Sequence, residues 1–175
     1  DRAVHLMMHD RATATVRLLP FLTGAQATLV KARNAVSRDA KDADKLLDAV
    51  DASLQTHPLF MFSQVQQAHR AKKWDEALDW LGKATGPLPD GEQWWAERRA
   101  LSRDLLAQGK TDLAYKAAAG FTAGPPAKLV EAQFHAGWMA LTLLDDAKAA
   151  AGHFETMRNA ATTPESASCD TPGRY

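Results

Sequence analysis

The sequence predicts an all-α protein built as a superhelical stack of antiparallel helix hairpins, about ten helices in about five pairs. Three observations lead there. Apolar residues recur at helical spacing along the chain, and no segment alternates with period two and β-branched residues as a strand would. A small-residue anchor returns with a period in the mid-thirties. Proline and glycine fall where such units would end.

The period is clearest from its last copy. From Leu129 to Met157 the chain reads as two helices folded on each other. Val130, Phe134, Trp138, Leu141 and Leu144 form an apolar face on the first. Ala147, Ala150, Ala151, Phe154 and Met157 form one on the second. Gly137, Ala140 and Gly152 allow close backbone approach. Asp145 and Asp146 break the run and suit the positive end of a helix dipole. The frame Ala150, Phe154, Met157 fits again at Ala114, Ala118, Phe121 and at Ala77, Leu81, Ala84. Ala68, Leu105 and Leu141 hold one matching place on the preceding helices. Pro89 and Pro126 fall at matching repeat ends. Helix, turn, helix, proline is the tetratricopeptide plan, matched loosely because its Trp, Leu-Gly and Tyr positions are not all filled.

The elements follow in order. Asp1 to His9 reads as a short helix, and Arg11 to Leu19 as a second, stopped by Pro20. Thr23-Gly24 is a turn. Ala25 to Ser37 is a helix with Ala25, Leu29, Ala32 and Val36 on one side. The next opens near Asp42 and carries Ala43, Leu46, Leu47, Val50 and Leu54 to the stop at His57-Pro58. Leu59 to Ala71 buries Phe60, Phe62, Val65 and Ala68, and Lys72-Lys73 close it. Trp74 to Ala84 pairs with it. Thr85 to Gly91 is a loop between pairs. Glu92 to Gln108 is a long helix ended by Gly109. Asp112 to Ala119 is its partner, and Gly120 to Pro126 leads into the last hairpin. The domain is expected to span residues 1–161, with an irregular tail over 162–175.

Composition narrows the function classes. The 175 residues are 46% hydrophobic, enough for a real core, and Lys+Arg equal Asp+Glu at 21 each. A neutral chain lacks the basic surface that non-specific nucleic-acid binding needs. No apolar run approaches the roughly 20 residues of a membrane span. The chain opens on Asp1 without a signal peptide, and we read it as a processed or excised piece. Its one cysteine, Cys169, offers neither an internal disulfide nor a Cys-based zinc cage, and is expected to be an exposed tail thiol.

Candidates for chemistry are few. His5 and His9 stand one helical turn apart without a matching ligand set, so no metal and no cofactor is expected. Glu131 and His135 read as a surface pair on a helix. Phosphate loops and nucleophile elbows are absent from the text. The most distinctive cluster is Trp94-Trp95-Ala96-Glu97-Arg98-Arg99. Adjacent helical residues point about 100° apart, which sends one tryptophan to the core and leaves the other partly exposed. Packing under the preceding loop, with Arg98 or Arg99 as cover, is the favoured reading. A platform for sugar or peptide is the functional alternative, so Trp94 and Trp95 are the candidate glycan or partner contacts.

These residues also resemble a family. Trp-Trp-x-Glu-Arg-Arg at Trp94 to Arg99, Ala114-Tyr115, Glu-Ala-x-Phe-x-Ala-Gly-Trp-x-Ala-Leu at Glu131 to Leu141, and His153-Phe154 are similar to the N-terminal superhelical, U-shaped region of soluble lytic murein transglycosylases. Arg17 to Pro20 fits as well. The resemblance covers about Arg11 to Pro164. It implies a periplasmic protein of a Gram-negative bacterium that meets peptidoglycan glycan strands through the full-length protein. In that family one Glu protonates the glycosidic oxygen between MurNAc and GlcNAc, and the sugar's 6-hydroxyl closes a 1,6-anhydro ring. The lysozyme-like catalytic domain, with Glu-Ser and then Gly-Leu-Met-Gln, is not in this text. Glu165-Ser166 lacks the motifs that should follow it and is not assigned as catalytic. No catalytic residue is expected here, and the chain alone is expected to be inactive. The competing reading is a tetratricopeptide-like adaptor that holds a protein or peptide on its concave face.

Overall fold

A computed structural model describes residues 19–86 and 88–162. They form α1 (Gly24–Ser37), α2 (Ala43–Asp48), α3 (Pro58–Arg70), α4 (Trp74–Lys83), α5 (Gly91–Ala107), α6 (Thr111–Ala119), α7 (Pro126–Thr142) and α8 (Ala147–Ala161). Short 3-10 turns lie at Leu19–Phe21 and Ala52–Leu54. The described residues contain no strand, so the all-α expectation holds. They contain eight α-helices against the expected ten or so. The two expected N-terminal helices, the tail, and with them His5, His9, Glu165, Ser166 and Cys169 lie outside the described residues. The chain divides into two compact units, one up to Gln93 and one from Trp94 onward.

In the first unit α1 opens with a capping box. The Thr23 hydroxyl accepts from the Gln26 amide at 3.3 Å, and the Gln26 side chain accepts from the Thr23 amide at 3.1 Å. Leu29, Ala32 and Val36 of α1 are buried where it meets α2 and α3. Arg33 is buried with them. Its guanidinium sits 5.1 Å from the Phe62 ring centre and donates to Gln66, so the charge has both an aromatic face and an acceptor.

The single helix expected from Asp42 to Leu54 is instead broken. α2 ends at Asp48. The Asp51 carboxylate accepts from the Ser53 amide at 2.9 Å and its hydroxyl at 2.6 Å, and a separate 3-10 turn begins there. Asp and Ser thus offer the backbone a local partner that competes with helix continuation. His57-Pro58 opens a helix rather than ending one. Pro58 is the first residue of α3, and His57 Nδ1 accepts from the Leu59 amide at 3.2 Å. α3 buries Leu59, Phe60, Phe62, Val65 and Ala68 and packs on α4, where Phe60 meets Trp80 edge to face at 5.6 Å.

The three repeat copies share one turn. Lys72, Gly109 and Asp145 are all left-handed, with φ of 57°, 71° and 54°. Each is followed by a cap residue of nearly constant shape: Lys73 at φ −85° and ψ 74°, Lys110 at −90° and 65°, Asp146 at −102° and 81°. Lys73 and Lys110 each donate their amide at 2.9 Å to the carbonyl five residues back, Ala68 and Leu105, closing a Schellman-type helix end. Asp146 reaches one residue further, to Ala140 at 2.8 Å. The left-handed residue precedes the anchors Ala77, Ala114 and Ala150 by the same interval each time, and all three anchors are buried.

In the second unit α7 packs on α6 and, most extensively, on α8. The expected apolar face of α7 is not the one it buries. Ala132, Ala136, Gly137, Met139 and Ala140 are inside, while Phe134, Trp138 and Leu141 remain 50%, 44% and 47% exposed. The small residues lie round the helix from the large ones. They win because they let α8 come close. A methyl group built on Gly137 would lie 2.7 Å from Phe154 Cε1.

Two stability series follow, both read as urea midpoints. Gly109→Ala, which meets no neighbour, is expected to cost about 1–2 kcal/mol from the left-handed backbone alone. Lys72→Gly at the equivalent place should raise stability by up to about 1 kcal/mol. Gly137→Ala is expected to lower stability by about 1–3 kcal/mol by forcing the Phe154 ring to move. Gly152→Ala, with open space around it, should raise it by about 1 kcal/mol. Equal signs for Gly137→Ala and Gly152→Ala would sink the close-packing account.

Candidate functional site

The sequence points to the start of α5, and the second unit is built around it. Trp94 and Trp95 are 0% and 2% exposed. The expectation that one of them reaches the surface is therefore corrected. Trp95 is covered by Phe121 from the α6–α7 loop at 5.6 Å and by His135 of α7 at 5.8 Å. The ring contacts continue outward from His135 to Phe134 at 6.0 Å and from Phe134 to Phe154 at 6.5 Å. A sugar ring has no indole face to stack on at Trp94 or Trp95 while the unit stays folded.

The two arginines of the cluster have different work. Arg98 is buried, and its Nη1 donates to the Ala117 carbonyl in the last turn of α6 at 3.0 Å. Burial pushes its pKa down to about 10, which still leaves it charged at neutral pH. Gly120 makes room for it, since a methyl group there would lie 2.5 Å from Nη1. Arg99 is half-exposed and pairs with Glu131 of α7. Glu131 therefore bonds across to α5 rather than along its own helix to His135, as the sequence had suggested. Burial raises the Glu131 pKa, but hydrogen bonding from Arg99, with the charges of Arg99 and Lys128, brings it below the ordinary value. The Trp95 indole itself makes no close hydrogen bond among the described residues.

A partly buried polar chain fixes α7 from the other side. Gln133 donates through Nε2 to the Phe121 carbonyl at 3.0 Å. Its Oε1 is then the acceptor for His153 Nδ1 at 2.7 Å. That leaves His153 Nε2 to accept from the Tyr115 hydroxyl at 2.9 Å. Each polar atom has one role, and the imidazole is neutral. Burial lowers the His153 pKa, while burial and then the Asp146 charge raise that of Tyr115. The sequence named Tyr115 and His153 only through the resemblance and missed Gln133. A lone Gln among Ala and Phe on a mainly apolar helix is the signal that marked it.

Beside Trp95 the surface dips into a cavity of about 40 Å³ between α5 and α7. Arg99, Arg103, His135, Trp138 and Met139 are among its walls. Among the described residues no three His, Cys, Asp or Glu side chains gather as a metal site. What this arrangement offers chemically is recognition: an aromatic edge, cationic donors and a shallow recess. No helix of the described residues is long and apolar enough to cross a membrane.

The polar chain predicts a pH dependence. The folded pKa of His153 lies below its ordinary 6.5, so the unfolded chain takes up the proton first as pH falls. Its contribution is complete above about pH 6.5 and is lost as pH drops from there toward the folded value. His57, also lowered by burial, adds to the same slope. Urea midpoints of the wild type should fall between pH 7.5 and pH 5.5 or so, and His153→Gln should flatten that fall. An unchanged slope in His153→Gln would show that the imidazole does not titrate with folding.

Scans against family models, curated proteins and solved structures each found no match to this chain.

Proposed function

We propose that this chain is the non-catalytic superhelical platform of a periplasmic peptidoglycan lytic transglycosylase, the parent of which cleaves the MurNAc–GlcNAc bond to 1,6-anhydro products. The observation that carries the reading is how the motif residues meet. Arg99 of the Trp-Trp-x-Glu-Arg-Arg segment pairs with Glu131 of the Glu-Ala-x-Phe segment. Tyr115 of the Ala-Tyr pair bonds His153 of the His-Phe pair. Gly137 of the Gly-Trp step receives Phe154. Segments spread over some sixty residues are tied pairwise, so the resemblance rests on one interlocking set rather than on scattered identities. In this reading the helix pairs stack as a tetratricopeptide-like solenoid, and the thrice-used turn supports that arrangement.

The role of the platform is to supply shape. A curved wall of helix pairs can help enclose a glycan strand while a separate domain breaks the bond. An adaptor that binds a protein partner is the second reading. One observation favours it: the exposed apolar row Phe134, Trp138 and Leu141 on α7.

The test is direct. Purified sacculi incubated with this chain should release no anhydro-muropeptides. The coding sequence downstream of residue 175 should continue into Glu-Ser followed by Gly-Leu-Met-Gln. A stop codon or a further helical repeat there would overturn the transglycosylase reading in favour of the adaptor.

A further inference from the structure

The packing of the second unit leaves the outer face of α7 and the mouth of the recess beside it at the surface. Phe134, Trp138 and Leu141 stand at one helical face, each about half exposed. Arg99, Arg103 and His135 line the recess between α5 and α7 together with Trp138. Glu131 answers Arg99 and also has Lys128 at 4.0 Å. Arg103 is exposed and is matched by no carboxylate among the described residues. The face therefore joins an apolar strip to a surplus of positive charge.

We propose that this face docks a short peptide segment of a partner protein, one that combines large apolar side chains with a carboxylate. Its apolar residues cover Phe134, Trp138 and Leu141, and its Asp or Glu meets Arg103 at the recess. Three arguments select this occupant. Three half-exposed side chains present on the order of 300 Å² of apolar surface, well under the ~800 Å² per partner of a stable dimer, so a second copy is too large a demand. The recess of about 40 Å³ admits one small group and no sugar ring. The neighbours of Trp138 along the strip are Phe and Leu, and the nearby Thr142 hydroxyl is already bonded to the Trp138 carbonyl at 2.7 Å. A sugar would find few polar partners there, whereas an apolar peptide face would be matched and its acid would be drawn to the arginine. The inference stands apart from the cell-wall reading, so the sacculus assay and the test below can fail separately.

The test is to pan a randomised phage-displayed peptide library on the immobilised full chain, with counter-selection on Trp138→Ala. Both substituted side chains are at the surface, so Trp138→Ala and Arg103→Glu are expected to keep their helices, with circular dichroism as the check. Recovered peptides should pair Trp, Phe or Leu with Asp or Glu. Fluorescence anisotropy of a labelled recovered peptide should show at least ~10-fold weaker binding to Trp138→Ala and to Arg103→Glu. Replacing the peptide's acid by Lys should restore binding to Arg103→Glu. The proposal is overturned by any of four results: no enrichment, recovered peptides that bind wild type and variants alike, chitooligosaccharide binding that Trp138→Ala abolishes, or concentration-dependent dimers that Trp138→Ala dissolves.

Discussion

The close approach of α7 and α8 governs the second unit. Helices separate by the size of the side chains between them, and here Gly137 is set against the Phe154 ring, while the other buried residues of the two helices include the small Ala132, Ala136, Ala140 and Ala150. Such a seam buries little area per residue, so its stabilisation comes from backbone proximity and from dense dispersion contact. Choosing the small face has a cost in exposed apolar surface. The large residues of α7 are turned outward by the same rotation that brings the small ones in. The surface row of the helix and its inner seam are thus one decision.

Around that seam the unit holds its polar groups in fixed pairs. Arg98 brings a charge into the interior and sets it against the carbonyl end of α6, where a helix dipole favours a cation. Arg99 and Glu131 tie α5 to α7 at the rim. Gln133 and His153 do so deeper in, between α7, α8 and the Phe121 loop. A buried polar atom left unpaired would cost more than the bond contributes, so these pairs specify a single arrangement more than they add to its depth.

Much of this was legible in the sequence, and the failures have definite causes. Gly109 lies just past the end of α5, and Pro58 and Pro126 stand at the first positions of α3 and α7, where local chemistry puts such residues. The anchors Ala77, Ala114 and Ala150 are buried as their period implies. The period does not say which of two apolar faces a helix will bury. α7 has both a small and a large one, and only the partner helix decides between them. Trp94 and Trp95 illustrate the same limit from the other side. The angle between neighbouring helical residues was right, but a loop residue, Phe121, and a residue of another helix, His135, cover Trp95 from positions that no local pattern reveals. Asp51 and Ser53 broke an expected helix through a two-residue contact that propensity averages over. Lys72 and Asp145 take a backbone shape that only Gly109, among the three, announces by its type.

The hydrogen bonds that run from Tyr115 through His153 and Gln133 to the Phe121 carbonyl all point one way. Turning α7 by a single residue would carry Gln133 away and leave both the His153 Nδ1–H and the Phe121 carbonyl without that partner. The helix is thereby clocked, and with it the side on which Trp138 stands. A visitor to that side of the molecule finds a rigid template whose ordering entropy was already lost when the chain folded.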